Sequence, residues 1–122
     1  MELKLDEILQ KGIEAYGAGQ VSEAEIFFDQ ILRSQPYHPD ANHKMGILAF
    51  GEGRMQEALA YFKIALEADP DIGEYWLNYI DALLELDKLD DAKAVFDQAR
   101  LKGAEGEAFD LIGKRLSEPH VS

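Results

Sequence analysis

Apolar residues recur along the chain with the spacing of amphipathic helices. Leu5, Ile8 and Leu9 begin one such pattern, and Ala24 and Phe28 continue it after a short break. Spacings of i, i+3, i+4 and i+7 place apolar side chains on one face of a helix. Segments with Gly or Pro separate most of the predicted helices, and a turn near 87–88 separates the two helices of the third pair, so the pattern predicts pairs of helices joined by short turns. After the first pair, the predicted helices span about 41–50, 56–67, 74–86, 90–102 and 107–116.

The same pattern returns every 34 residues. The positions that keep this step are Gly12 and Gly46, Gly19 and Gly53, Ala24, Ala58 and Ala92, Phe28, Phe62 and Phe96, and Pro36 and Pro70. A period of about 20 to 50 residues is typical of stacked repeats, in which each unit buries its apolar face against its neighbours. The sequence therefore predicts one domain over 1–118, with repeats at about 5–38, 39–72 and 73–106, a capping helix at about 107–117 and a flexible tail at 119–122.

Small residues at fixed points of the period predict where the two helices of a hairpin cross. Gly12 and Gly46 lie on the first helices of their hairpins, and Ala24 and Ala58 lie on the second helices. Two helix backbones can approach closely only where the side chains between them are very small. We expect Phe62, one turn beyond Ala58, to fill the space that opens as the helices diverge.

The period and its offsets resemble the tetratricopeptide repeat. The residues that carry this resemblance most fully are Met45, Gly46, Ala58, Phe62, Ala65, Pro70 and Trp76. The resemblance covers nearly the whole chain. It implies an all-α, right-handed superhelical solenoid of three helical hairpins plus a C-terminal capping helix. It also implies a non-catalytic module that binds another protein.

The chain departs from the family pattern at several positions. Lys11 stands where an apolar residue is usual, Asn42 replaces the tryptophan of the second repeat, and Ile80 replaces the glycine of the third. We expect Ile80 to widen the third hairpin. Asp71 and Glu74 have the spacing of a capping box, which predicts an N-cap at Asp71.

A looser similarity concerns the context of the domain. The segments 24–32, 38–43 and 76–83 are similar to bacterial tetratricopeptide segments that precede glycosyl-, sulfo- or methyltransferase domains. An accessory N-terminal domain of a larger bacterial transferase is therefore an alternative to a separate adaptor.

The charge of the chain limits the classes of partner. Twelve Lys and Arg against 24 Asp and Glu give a formal net charge of −12. Such a surface repels phosphate backbones and anionic lipids, so we expect neither nucleic acid nor a membrane as partner. A surplus of acids also keeps an ordinary surface soluble, and a basic partner is the functional alternative.

The sequence offers little for catalysis. There is no cysteine, and the histidines are His38, His43 and His120. A separation of five does not place His38 and His43 on one helical face as a metal pair would need. We therefore expect no metal, no cofactor and no enzymatic activity. The lack of cysteine and of an apolar run near the N-terminus predicts a cytoplasmic protein.

In the family, the first helix of each hairpin lines a concave groove, and the resemblance assigns a stripe of groove residues here. The stripe begins at Asp6, and its predicted peptide-binding residues are Leu9, Ile13, Tyr16, Asp40, His43, Lys44, Ile47, Phe50, Glu74, Leu77, Asn78, Asp81 and Leu84. Apolar side chains along the middle with carboxylates at intervals would suit an extended peptide or an amphipathic helix that carries Lys or Arg.

Several alternatives bear on this groove. The stack itself would cover some of the apolar side chains, and exposed ones could instead support a homodimer or a self-associating scaffold. Family members that hold the acidic tails of heat-shock chaperones use a clamp of Lys, Arg and Asn. Lys44 and Asn78 would fit that clamp, but Leu9 and Ile13 occupy its positions in the first repeat. We therefore do not expect a receptor for chaperone tails.

Overall fold

The computed structural model describes residues 4–118, which form seven α-helices and no strand. The helices are α1 (Leu5–Gly17), α2 (Val21–Ser34), α3 (Pro39–Gly51), α4 (Met55–Ala68), α5 (Gly73–Glu85), α6 (Leu89–Leu101) and α7 (Glu107–Ser117). The prediction of an all-α solenoid is confirmed. The predicted tail at 119–122 lies outside the described residues, and the exact domain limits stay a prediction.

The helix boundaries keep the period of the sequence. α3, α5 and α7 begin at Pro39, Gly73 and Glu107, and α4 and α6 begin at Met55 and Leu89, so each series advances in steps of 34. The closest backbone approaches join helices that are adjacent in the chain. This nearest-neighbour packing is the organisation of a solenoid. In this register, α7 is the first helix of a fourth repeat.

A phenylalanine ring lies against a bare glycine inside each of the first two hairpins. A Cβ built on Gly12 would lie 2.5 Å from Cε1 of Phe28, and one built on Gly46 would collide with the ring of Phe62. Both rings are fully buried. The prediction that small residues mark the crossing of each hairpin is confirmed there, because no other side chain leaves room for the ring.

The third hairpin is packed differently because Ile80 occupies the glycine position. Ile80 is fully buried, and α5 and α6 approach each other less closely than the helices of the first two hairpins. Phe96 is only partly buried and turns toward α7, where its Cζ would lie 3.0 Å from a Cβ on Gly113. Its ring centroid is 6.3 Å from that of Phe109. The last helix thus completes the third hairpin.

Residues with left-handed backbone end the first helix of every hairpin. Gly19 and Gly53 both have φ of 79°, whereas Asp87 adopts φ of 58° at the equivalent point of the third hairpin. The next residue then donates a backbone hydrogen bond five residues back, as Lys88 does to Leu83 at 2.9 Å. This arrangement satisfies helix carbonyls that would otherwise lack a partner. Asp87 is the one non-glycine residue with positive φ among residues 4–118.

The joints between repeats share one hydrogen bond despite different side chains. The indole Nε1 of Trp76 donates to the carbonyl oxygen of Pro70 at 2.7 Å, and Nδ2 of Asn42 donates to that of Pro36 at 3.0 Å. Asn42 therefore replaces the hydrogen bond of the missing tryptophan but not its bulk. Both carbonyls belong to residues that follow a helix end, so the bond fixes the angle at which the next helix begins.

The predicted capping box at the start of α5 is wrong. α5 begins at Gly73 after Ile72, and no side chain caps it. Asp71 lies one residue too early, and its backbone N–H instead faces Oδ1 of Asp69 at 3.3 Å. The cap that does form is at α3, where Nδ1 of His38 accepts a hydrogen bond from the backbone N–H of Ala41 at 3.0 Å.

Replacement of Phe62 by Ala should lower the free energy of unfolding by about 3–5 kcal/mol, because it empties the centre of the second hairpin. Lys63→Ala is the matched control: its side chain is exposed, so we expect a change within about 0.5 kcal/mol. Urea denaturation measures both. Equal losses for the two variants would show that the assigned helix register is wrong.

An exchange between equivalent turn positions tests the strain at Asp87. Asp87→Gly should raise the free energy of unfolding by less than about 1 kcal/mol, because relief of the left-handed backbone is partly offset by the entropy of glycine. Gly53→Asp should lower it by about 1 kcal/mol. Thermal melts of the two variants would refute this account if both moved the midpoint in the same direction.

Candidate peptide-binding groove

The predicted groove residues lie on α1, α3 and α5, and we call this set the groove stripe. Most of its apolar members are partly buried, so each packs against the stack with one side and reaches solvent with another. Tyr16 is the most open of them, with 45% of its surface exposed. The partly exposed apolar members are Leu9, Ile13, Ile47, Phe50, Leu77 and Leu84. The stripe is therefore neither a closed core nor a fully exposed surface.

One cavity joins the first two repeats within the stripe. It has a volume of about 110 Å³ and is lined by Ile13, Tyr16, Phe28, Lys44 and Ile47. Four of these are stripe residues from α1 and α3 that are about 30 positions apart in sequence, brought together because equivalent helices stack. The fifth, Phe28, forms the floor. Its place in the hairpin interior could be read from the period, but its second role as a cavity wall could not.

His43 does not belong to the exposed stripe, contrary to the sequence prediction. Only 1% of its surface is exposed, and its Nε2 lies 2.6 Å from Oδ1 of Asn78. Its ring packs between those of Phe62 and Tyr75, with centroids 5.9 and 4.7 Å away. Since an amide oxygen only accepts, Nε2 donates this bond. The bond links α3 to α5, so His43 positions the groove wall and cannot contact a partner directly.

Carboxylates dominate the charge beside this buried bond. The side chains of Asp40 and Glu74 are 39% and 65% exposed, and Oε1 of Glu74 is 4.0 Å from Nε2 of His43. Nζ of Lys44 lies 3.7 Å from Oδ1 of Asp40 and offsets part of that charge. Burial, together with Asp40, Asp69 and Glu74, raises the pKa of Tyr75 to about 12. The junction of α3 and α5 therefore carries a negative field.

Asp81 marks the other end of the stripe, where α7 comes close. Burial raises the pKa of this carboxyl above its ordinary value, Arg115 on α7 acts in the opposite direction, and Glu85 adds to the rise. Asp81 could be predicted from the sequence but Arg115 could not, because the position of α7 beside α5 depends on how the last repeat stacks. The 34-residue period was the one signal in the sequence for the position of α7, since α7 begins 34 residues after α5.

Two family models, both described as tetratricopeptide repeat, match residues 49–114 and residues 9–70. Each covers more than half of the chain. The chain belongs to the tetratricopeptide repeat family. A search of curated protein sequences found no significant match.

Solved tetratricopeptide domains share this fold over nearly their whole length. The first domain of Spaghetti (RPAP3), solved with the HSP90 peptide SRMEEVD, is 17% identical, with a TM-score of 0.83 over 93% of this chain and 90% of that one. The Arabidopsis OM64 domain is 19% identical, with a TM-score of 0.80 over 92% and 93%. The TPR2B domain of yeast Sti1, in complex with pHsp70, is 17% identical, with a TM-score of 0.82 over 95% and 98%. At these identities the likeness establishes the fold.

Within residues 4–118 there is no group of three or more His, Asp or Glu residues arranged to hold a metal ion. None of the helices described there has the length and apolar character needed to cross a lipid bilayer.

The raised pKa of Asp81 gives a pH-dependent prediction. A carboxyl whose folded pKa lies above its unfolded value of 3.8 binds protons more tightly when folded, so its ionisation costs stability as pH rises above about that value. Asp81→Asn should therefore raise the free energy of unfolding at pH 7. We expect a gain below about 1 kcal/mol, because solvent reaches part of the carboxylate.

The gain should disappear below the unfolded pKa of 3.8, where Asp81 is protonated in both states. Urea denaturation at neutral and acidic pH measures it, with Asp97→Asn on the exposed surface of α6 as control. A gain that persisted unchanged in acid would contradict the assignment, since it could not come from the charge of Asp81.

Proposed function

We propose that this tetratricopeptide domain is a non-catalytic interaction module whose groove stripe binds a peptide or an amphipathic helix with apolar and basic residues. The observation that carries the proposal is the small cavity of about 110 Å³ between α1 and α3, lined by stripe residues. Structural neighbours of this fold were solved with an HSP90 peptide and with pHsp70. Those complexes support a protein partner in general, and the choice of ligand depends on this chain's own residues.

The apolar part of the proposed ligand follows from the cavity. Ile13, Ile47 and the floor residue Phe28 offer an apolar surface, and Tyr16 and Lys44 form its rim. A space of about 110 Å³ is enough for one aliphatic side chain of a ligand but not for a drug-sized molecule. A ligand would therefore gain affinity from one apolar anchor here and from further contacts along α3 and α5.

The charged part of the ligand follows from the carboxylates. Asp40 and Glu74 remain exposed beside the groove, while Lys44 is already close to Asp40. The formal net charge of −12 adds a long-range attraction for cations. The HSP90 peptide SRMEEVD of the RPAP3 domain carries three acidic residues and one basic residue. Such a peptide would be repelled here, and a peptide with the opposite charges would be favoured.

Reversal of the two exposed groove carboxylates tests the proposal. The probes are SRMEEVD and its charge-altered counterpart SRMKKVK, together with peptides selected from a random display library on the wild-type domain. We expect selected peptides to combine apolar residues with Lys or Arg, and the counterpart to bind more tightly than SRMEEVD. In the double variant Asp40→Lys and Glu74→Lys, affinity for the basic peptides should fall by about tenfold or more, and the wild-type affinity should fall with added salt.

The control is the double variant Asp97→Lys and Glu105→Lys, which makes the same change in net charge at exposed positions outside the groove. Fluorescence polarisation measures binding, and analytical ultracentrifugation reports self-association. Equal losses in both double variants would show that only net charge matters. A dimer that dissociates when Tyr16 is replaced by Ser, without any peptide binding, would favour the self-associating scaffold.

A further inference from the structure

We propose that a cleft between α4 and α6 is a second binding site, away from the groove stripe, for a small apolar carboxylate. The cleft has a volume of about 320 Å³ and lies over α5, which supplies Trp76 and Tyr79. α4 contributes Leu66 and Lys63, α6 contributes Val95, and Lys102 directly follows the end of α6. We call this space the α4–α6 cleft. Its volume falls at the lower end of the range for small-molecule sites, about 300–1,000 Å³.

Comparison with the preceding joint shows which residues open the cleft. The residues 34 positions before Val95, Gln98 and Lys102 are Tyr61, Ile64 and Ala68. Tyr61 packs against the apolar cluster of the first two repeats. At the later joint, Val95 is much smaller than that tyrosine, and Gln98 is exposed where Ile64 is partly buried. The repeat could fill this space with the side chains it uses elsewhere, and here it does not.

The indole of Trp76, with 6% of its surface exposed, is one of the apolar walls of the cleft. Its Nε1 is already occupied, since it donates to the carbonyl oxygen of Pro70 at 2.7 Å. The ring can therefore offer a ligand its face but no hydrogen bond. Leu66 beside it is buried and adds an aliphatic surface. These walls suit an apolar body, and a flat one gains most from stacking on an aromatic ring.

The charges at the rim favour an anionic end group. Lys63 and Lys102 line the cleft with one acid, Glu67, which gives this site an excess of positive charge in a chain whose net charge is −12. Neither lysine forms an ion pair with another residue in the range 4–118. At the first joint the equivalents of Lys63 and Glu67 are Asp29 and Arg33, which pair with each other at 3.0 Å.

Tyr79 adds a polar group that can favour the same ligand. Its phenol is protonated at neutral pH, and burial, together with Asp91 and Glu67, raises its pKa further. A protonated phenol can donate a hydrogen bond, and a carboxylate accepts one. A second cavity of about 270 Å³ adjoins the cleft across Trp76 and Lys102, but Asp71 and Glu105 line it and would oppose an anion there.

The test uses the fluorescence of Trp76, the only tryptophan in the chain. The probe is phenylbutyrate, with phenylbutanol as the matched compound that lacks the charge. We expect saturable quenching by phenylbutyrate and an affinity about threefold to tenfold lower for phenylbutanol, in keeping with two exposed cations. Equal affinities for the two compounds, or a response that does not saturate, would overturn the proposal.

Three variants locate the site. Val95→Tyr places in the cleft the side chain that the first joint has, and it should abolish binding of phenylbutyrate. The double variant Lys63→Gln and Lys102→Gln should bind phenylbutyrate no better than phenylbutanol. Both side chains are exposed, so this variant keeps the test valid if Val95→Tyr does not fold.

Tyr16→Ser in the groove stripe should leave phenylbutyrate binding unchanged. Binding that survives Val95→Tyr in a folded protein, or that is lost with Tyr16→Ser, would place the probe elsewhere and refute the site.

Discussion

The contact between a phenylalanine ring and the bare backbone of a glycine is the constraint on which this solenoid depends. Gly12 with Phe28 and Gly46 with Phe62 set the distance between the two helices of a hairpin. The ring of Phe28 that lies against Gly12 also lines the cavity between α1 and α3, so this contact connects the interior of the first hairpin with the groove stripe.

The fold could be predicted from the sequence because this contact leaves a periodic signal. Glycine, alanine, phenylalanine and proline recur at fixed offsets, and the helix starts follow the same step. Helix caps and the directions of individual side chains were harder to predict from the sequence. The predicted N-cap of α5 was wrong by one residue, a distance within which competing turn hydrogen bonds decide where a helix begins. The redirection of Phe96 toward Gly113 required knowledge of what α7 packs against.

The candidate site could be predicted from the sequence only in part. Helical spacing brings Ile13, Tyr16, Lys44 and Ile47 onto one surface, and they do line one cavity. Helical spacing does not show which members of the stripe a neighbouring helix covers. His43, for example, is buried because Asn78 and Tyr75 on α5 close over it. The α4–α6 cleft also could not be predicted from the pattern of a single repeat. It requires a comparison of repeats, since Val95 lines the cleft at the position where the preceding repeat has the larger Tyr61.

Within residues 4–118, α7 packs against the third hairpin alone, and this has a consequence for the order in which that part of the molecule opens. A helix packed on one side only has fewer contacts to lose, so local unfolding should begin there. Phe96 rests on Gly113 and Phe109, and departure of α7 would remove both of these contacts from the ring, while Arg100, whose Cζ lies 5.4 Å from the ring centroid, would remain. It would also remove Arg115 from the neighbourhood of Asp81. Disorder would then spread from α7 into the third hairpin, while the two glycine-based hairpins keep their shape and with it the cavity between α1 and α3.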